Sequence, residues 1–281
     1  MAHWNISSGL TADKWIGIPR PNPRATVRLF CLPYAGSGAN VFYRWQHSLP
    51  DGVELCLVHL PGRGKRLREK PLSSMDSLLN ALERPMLGYL DLPMAIFGHS
   101  MGALIGFELA RHLRSKYGVQ PARLFVSGCN PPRNKYIHQS PESFPTRQFI
   151  SELRRIECLP VGYSEQFVEL ALPALKADLS VCETYSYTTG QPLDCDIAAF
   201  GGFQDCIVKY EQLEEWRSET TGHFGLHVFR GGHFFVHTAE SFVLKAVSSE
   251  LCKVACEEAG EIRNRSSLEA NSLQQIDKTV V

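Results

Sequence analysis

Along the chain, short and nearly unbroken apolar runs alternate with longer segments whose apolar residues recur at helical spacing. Val27-Arg28-Leu29-Phe30-Cys31-Leu32, ended by Pro33, predicts a strand. Val53-Glu54-Leu55-Cys56-Leu57-Val58-His59-Leu60, stopped by Pro61-Gly62, predicts a second. Met94-Ala95-Ile96-Phe97 and the runs at 124–126, 197–200 and 226–229 predict further strands. Helical segments are predicted around 41–49, 78–90, 103–117, 208–216 and 237–255. In the segment 103–117, Leu104, Phe107, Leu109 and Ala110 are apolar, and Arg111, Arg114 and Lys116 sit near the C-terminal end, where the helix dipole favours cations. Strands that are apolar on both sides need cover on both faces. The alternation therefore predicts an α/β fold with a mostly parallel sheet and helices on each face.

The rhythm breaks once. Residues 130–192 open on Asn130-Pro131-Pro132 and then read as helical only. They are expected to form an all-helical insertion in a core made of 26–129 and 193–257. Residues 1–25, with Pro19, Pro21 and Pro23, read as an irregular arm, and the polar residues 258–281 as a flexible tail. Within the insertion Phe167, Leu170, Ala171, Ala174, Asp178, Val181 and Cys182 fall on one helical face, and Pro173 should kink that helix.

Composition narrows the classes. Lys plus Arg and Asp plus Glu each number 29, so no basic excess points to nucleic acid. No apolar run approaches the roughly 18 residues of a membrane span, and the start of the chain has no basic and apolar leader. The nine cysteines are scattered without a Cys-x-x-Cys pair, several of them inside apolar runs. They read as buried free thiols in a reducing compartment rather than as a zinc site. The expectation is a cytoplasmic protein.

The sharpest chemical signal is Gly98-His99-Ser100-Met101-Gly102, a G-x-S-x-G set between a predicted strand and a predicted helix. A turn that tight strains its central residue and leaves Ser100 Oγ exposed at a helix N-terminus, and flanking glycines let the chains pass closely. The alternative is a plain serine N-cap, which needs no glycine on both sides. A nucleophilic serine needs a base, and the base an orienting acid. In the α/β-hydrolase order these follow as Asp then His. Asp205 lies just past the strand at 197–200 and His233 just past the strand at 226–229, at the strand ends where catalytic groups gather in parallel sheets. Asp194 and Asp196 lie at the wrong end. His237 is a rival base but falls inside the last helix, and His99 reads as a packed residue. One oxyanion donor is expected to be the Met101 N–H. The second is expected in Pro33-Tyr34-Ala35-Gly36-Ser37-Gly38, where Ala35 N–H is preferred and Tyr34 is the fallback.

These pieces resemble the type II thioesterases that accompany nonribosomal peptide and polyketide synthases, a group that includes the medium-chain thioesterase of animal fatty acid synthesis. The resemblance runs from about Val27 to Leu251. It rests on Leu32-Pro33-Tyr34-Ala35-Gly36, Leu60-Pro61-Gly62-Arg63, the Ser100 turn, Leu172-Pro173-Ala174-Leu175-Lys176-Ala177-Asp178, Phe200-Gly201-Gly202 and Gly231-Gly232-His233-Phe234-Phe235. Tyr34 stands where relatives often have His, and Gly64 where they have an acidic residue. The resemblance implies Ser100, Asp205 and His233 as the triad and a lid role for the insertion. It also implies hydrolysis of acyl thioesters from the phosphopantetheine arm of acyl or peptidyl carrier domains, without metal or cofactor. The chain is expected to be a monomer. An esterase or acyltransferase on the same fold is the second reading, and a non-catalytic carrier-binding module the third. Arg63, Lys65, Arg66 and Arg68 form a basic cluster that reads either as a solvated loop or as an attractor for an acidic carrier domain.

Overall fold

The computed structural model of the chain describes residues 14–134, 151 and 165–254. Strands β1 (Ile16–Gly17), β2 (Val27–Leu32), β3 (Val53–Val58), β4 (Met94–His99), β5 (Arg123–Ser127), β6 (Asp196–Gly202) and β7 (Phe224–Phe229) form one sheet in the order β1-β3-β2-β4-β5-β6-β7. Every neighbouring pair is parallel except β1 against β3. Helices α1 (Met75–Leu87), α2 (Met101–Tyr117), α3 (Glu165–Glu183), α4 (Phe235–Thr238) and α5 over 240–254 complete the frame, with 3₁₀ segments at Ala39–His47, Gly64–Arg66 and Tyr210–Glu219. This is the α/β-hydrolase fold.

Strand alternation divides the core in two. Phe30, Leu32, Ile96, Leu124 and Ile197 face Leu82 of α1, Leu104 and Phe107 of α2, and Trp216. Leu29, Cys31, Phe97, Phe125 and Phe200 face the other way, against Phe42 and Trp45 of the 3₁₀ segment and Val243, Val247 and Leu251 of α5. Phe97 sits among the rings of Trp45, Phe42, Phe125 and Phe200, at centroid distances of 4.7, 5.6, 6.1 and 6.1 Å. Burying each such ring contributes about 1.5–3 kcal/mol. The sheet is thereby clamped from both faces, and its C-terminal edge becomes a fixed platform.

Several expectations shift in detail. The segments around 41–49 and 208–216 are 3₁₀ rather than α-helical, because periods of 3.0 and 3.6 are hard to separate over so few residues. Helix α1 starts earlier than 78, at Met75, where Ser74 Oγ accepts the Ser77 N–H at 3.3 Å as an N-cap. The helix read over 237–255 begins at Phe235 and breaks at Ala239 into α4 and α5. The arm read as irregular over 1–25 contributes β1, where Ile16 pairs with Val58 and Gly17 with Leu57. Two residues are too few to show a period. The insertion over 130–192 is not helical throughout: α3 continues unbroken across Pro173 and ends at Glu183, and residues 184–192 run on without helix, because Arg111 and Arg114 of α2 take the carbonyls of Thr188, Gln191 and Pro192. The second half of α3 packs as core, with Ala174, Leu175, Asp178, Val181 and Cys182 buried, while Leu170 in the first half is exposed. The side chain of Phe167 and the tail over 258–281 lie outside the described residues.

Candidate active site

Three of the anticipated residues stand at the C-terminal edge of the sheet. Ser100 joins β4 directly to α2 and takes φ 54° and ψ −120°. Among the described residues it is the one non-glycine with positive φ. For a residue with a Cβ that conformation costs on the order of 1–3 kcal/mol, which the surroundings must impose. They do so from both sides. Ser100 N–H donates to the Ser127 carbonyl at 2.7 Å, and Ser100 C=O accepts the first helical N–H, that of Ala103, at 2.9 Å. A Cβ on Gly98 would lie 2.1 Å from Gly102 O, and one on Gly102 would lie 2.3 Å from Leu32 O. The strand-to-helix reversal closes only with glycine at both positions.

His233 follows β7 and precedes α4. Its Nε2 lies 3.1 Å from Ser100 Oγ, and its Nδ1 lies 2.9 Å from Asp205 Oδ2. A carboxylate accepts only, so Nδ1 carries the ring proton and Nε2 presents its lone pair to the serine hydroxyl. Asp205 follows β6. Its other oxygen, Oδ1, accepts the N–H groups of Ile207 at 2.8 Å and Val208 at 3.0 Å, which fixes the carboxylate plane. The two loops are tied by Gln204 N–H to Gly231 O at 2.9 Å and Gly231 N–H to Gln204 Oε1 at 2.8 Å. Asp205 and His233 are buried and Ser100 is partly exposed. Chemically, such an arrangement can serve as a serine nucleophile, its base and an orienting acid.

The two histidines set aside from the sequence have other partners. His99 is fully buried, with Nδ1 at 2.9 Å from Ser127 Oγ and its ring 5.2 Å from that of His233. Burial above all, and then the neighbouring His233 and His237 imidazoles, hold its pKa well below the ordinary 6.5, so it stays neutral beside the His233 ring. His237 sits in α4 with Nε2 at 3.0 Å from the Tyr34 hydroxyl, and burial lowers its pKa. Ser127, at the end of β5, carries both the Ser100 amide and the His99 ring and was not anticipated. Its position at a strand's C-terminal end is the signal that could have found it.

The loop after β2 lies against the elbow, as the approach of Gly102 to the Leu32 and Pro33 carbonyls shows. Ser37 N–H donates to Tyr34 O at 3.1 Å across a turn whose third residue, Gly36, has φ 76°. That is the φ a type II turn requires. Ser37 Oγ also donates to Tyr34 O at 2.8 Å. In a trans peptide the N–H points opposite to its C=O. With Tyr34 O held inside the turn, the Ala35 N–H points away from it.

The basic cluster is neither a solvated loop throughout nor a single charged patch, since two of its four residues are buried. Arg63 is buried in an ion pair with Asp178, and Arg66 is buried over the Trp15 ring, 3.7 Å from guanidinium to centroid. Arg66 also donates to His59 O at 2.7 Å and to both oxygens of Glu69. Only Lys65 and Arg68 of the four are exposed. Linear clustering of charge cannot reveal a partner 115 residues away. Of the described cysteines, Cys31, Cys56, Cys129, Cys182 and Cys195 are buried, whereas Cys206 and Cys252 are exposed, contrary to the expectation of buried thiols throughout; burial pushes up the thiols of Cys31, Cys56 and Cys195, the last to about 12, so these three are inert. Among the described residues no cluster of His, Cys, Asp and Glu is arranged to hold a metal ion, and no helix is long and apolar enough to cross a membrane.

Residues 27–251 match a family model described as a thioesterase domain. The gramicidin S biosynthesis protein GrsT of Aneurinibacillus migulanus is 39% identical over 241 residues, covering 85% of this chain and 94% of that protein. The medium-chain S-acyl fatty acid synthase thioesterase of Homo sapiens is 32% identical over 228 residues, covering 76% of this chain and 83% of its own. Among solved structures, the type II thioesterase BorB from the borrelidin biosynthetic cluster superposes with a TM-score of 0.79 at 33% identity, over 85% of this chain and 98% of that one.

Proposed function

The chain belongs to the thioesterase family, and from that premise we propose that it is a serine thioester hydrolase acting through Ser100, His233 and Asp205. Its substrates are acyl chains on the phosphopantetheine thiol of acyl or peptidyl carrier domains, in an editing role beside a nonribosomal peptide, polyketide or fatty acid synthase. The observation that carries the reading is the hydrogen-bonded chain from Ser100 Oγ through His233 to Asp205, with the serine at the apex of a strained turn.

The chemistry follows from the positions. Ser100 Oγ attacks the thioester carbonyl carbon while its proton passes to His233 Nε2. The carbonyl oxygen becomes an oxyanion, which the N–H groups of Met101 and Ala35 receive. Asp205 stabilises the imidazolium so formed. The oxyanion collapses, the C–S bond breaks, and the departing thiolate takes the proton from His233. A thiol has a pKa near 8.5, so it leaves with less acid assistance than an alkoxide. A water then gives a proton to His233 and attacks the Ser100 ester. The C–Oγ bond breaks, Ser100 recovers its proton, and the carboxylic acid departs. The first half of α3 and the insertion that carries it act as a lid over the substrate, while the second half of α3 anchors that lid to the core. That the described cysteines are free thiols favours a reducing cytoplasm, and the working unit is taken as a monomer.

The direct test is thiol release from an acetyl-phosphopantetheinyl carrier domain. Wild type should release thiol, and Ser100→Ala should fall about 10³-fold or more in kcat. Equal release by both would refute the serine mechanism. A higher kcat/KM on the oxygen ester of the same acyl group would favour the esterase reading instead.

A further inference from the structure

The strongest unassigned feature is a buried ion pair joining the insertion to the turn beside the nucleophile. Asp178 lies in the second half of α3 and is 1% exposed, and Arg63, in the loop after β3, is 9% exposed. They meet through both guanidinium arms, with Nη2 donating to Oδ1 at 2.8 Å and Nη1 donating to Oδ2. The same Oδ2 accepts the Gly36 N–H at 2.7 Å. Arg63 Nη1 also donates to Ser37 O at 3.3 Å, and Arg63 Nε donates to Pro61 O at 3.2 Å. Leu175, one turn earlier on α3, presses on the same glycine, since a Cβ on Gly36 would lie 2.9 Å from Leu175 Cδ1.

These contacts fix both peptide planes that flank Ala35. Ser37 holds the Tyr34 carbonyl on one side, and Asp178 holds the Gly36 N–H on the other. The N–H left between them is that of Ala35. Such a pair is costly to bury, and apolar residues of similar volume often serve stability as well or better. Its presence across the junction of insertion and core therefore calls for another use. We propose that Asp178, held in place by Arg63, is a positioning residue that aims the Ala35 N–H into the oxyanion hole, so that seating α3 on the core completes the catalytic site. This rests on the reading of Ser100 as nucleophile and Ala35 as oxyanion donor. It assigns to the insertion helix a part in transition-state stabilisation, distinct from covering the substrate.

The Gly36 acceptor, rather than the charge, is the essential element, and this can be tested without leaving a lone buried ion. In Arg63→Met/Asp178→Asn both charges are gone and an amide oxygen still meets Gly36 N–H. In Arg63→Met/Asp178→Leu the acceptor is gone as well. Both are assayed on an acyl N-acetylcysteamine thioester, with thermal unfolding in parallel. The Leu variant should have a kcat about 10- to 100-fold below that of the Asn variant, as expected for a misaimed donor, with KM values within about threefold. A trifluoromethyl ketone that forms a tetrahedral adduct on Ser100 should lose affinity in the Leu variant by a similar factor. Should either double variant fold poorly, Arg63→Leu/Asp178→Asn and Arg63→Leu/Asp178→Met give the same contrast, again with no lone buried ion. Equal kcat with and without the acceptor overturns the proposal while leaving the Ser100 reading standing. Persistence of hydrolysis in Ser100→Ala overturns both.

Discussion

Ser100, His233 and Asp205 each owe their position to a local device. For Ser100 it is the left-handed backbone that Gly98 and Gly102 permit; for Asp205 it is the pair of amides from Ile207 and Val208; for His233 it is the carboxylate on Nδ1. The last of these sets the tautomer, and with it which ring nitrogen faces the serine. Asp205→Asn keeps the shape but lets an amide donor face Nδ1, which turns the proton to the wrong nitrogen. Its kcat should fall about 10⁴-fold, with little change in thermal stability. A fall below tenfold in steady-state hydrolysis would show that Asp205 does not set the tautomer. His99 illustrates the opposite case at this level. It touches Ser127 and the His233 ring yet is kept neutral by burial, so it supports the base without titrating with it.

Each element was legible to the degree that its apolar pattern was long enough to show a period. The strands β2 through β5 and helix α2 fall where their apolar runs predict them, because a parallel sheet covered on both faces admits little else. The pair β1 escaped because two residues have no period, and the 3₁₀ segments were read as α-helical because they are short. The arginine cluster was misread for a different reason. Arg63 and Arg66 are adjacent in sequence to other cations but are paired in space with Asp178, Glu69 and the Trp15 ring, and no linear pattern contains that information. Among the elements, β4 bears on the site most directly, because it delivers Ser100. Its Phe97 is locked by four rings on the face covered by α5. Phe97→Ala should cost about 3–5 kcal/mol in chemical unfolding. A cost below about 1 kcal/mol would mean that this aromatic cluster does not anchor the strand.

In the whole molecule, three crossovers bring residues far apart in the chain to one edge of one sheet. Ser100 follows β4, Asp205 follows β6 and His233 follows β7. That convergence is why the candidate site is legible in the sequence. In a parallel sheet every strand's C-terminal end opens on the same side, so a nucleophile, acid and base that each follow a strand must share a rim. What the sequence pattern did not carry was the return of α3 to that rim, since the contact of Asp178 with Gly36 depends on how the insertion seats. The central claim is that this rim performs covalent catalysis at Ser100. Its most direct measurement is intact-protein and peptide mass analysis of enzyme quenched during turnover of an acyl thioester. One acyl group is expected on the peptide containing Ser100, accumulating with burst kinetics and absent from Ser100→Ala. Rapid turnover with the acyl group carried elsewhere, or retained in Ser100→Ala, would contradict the claim.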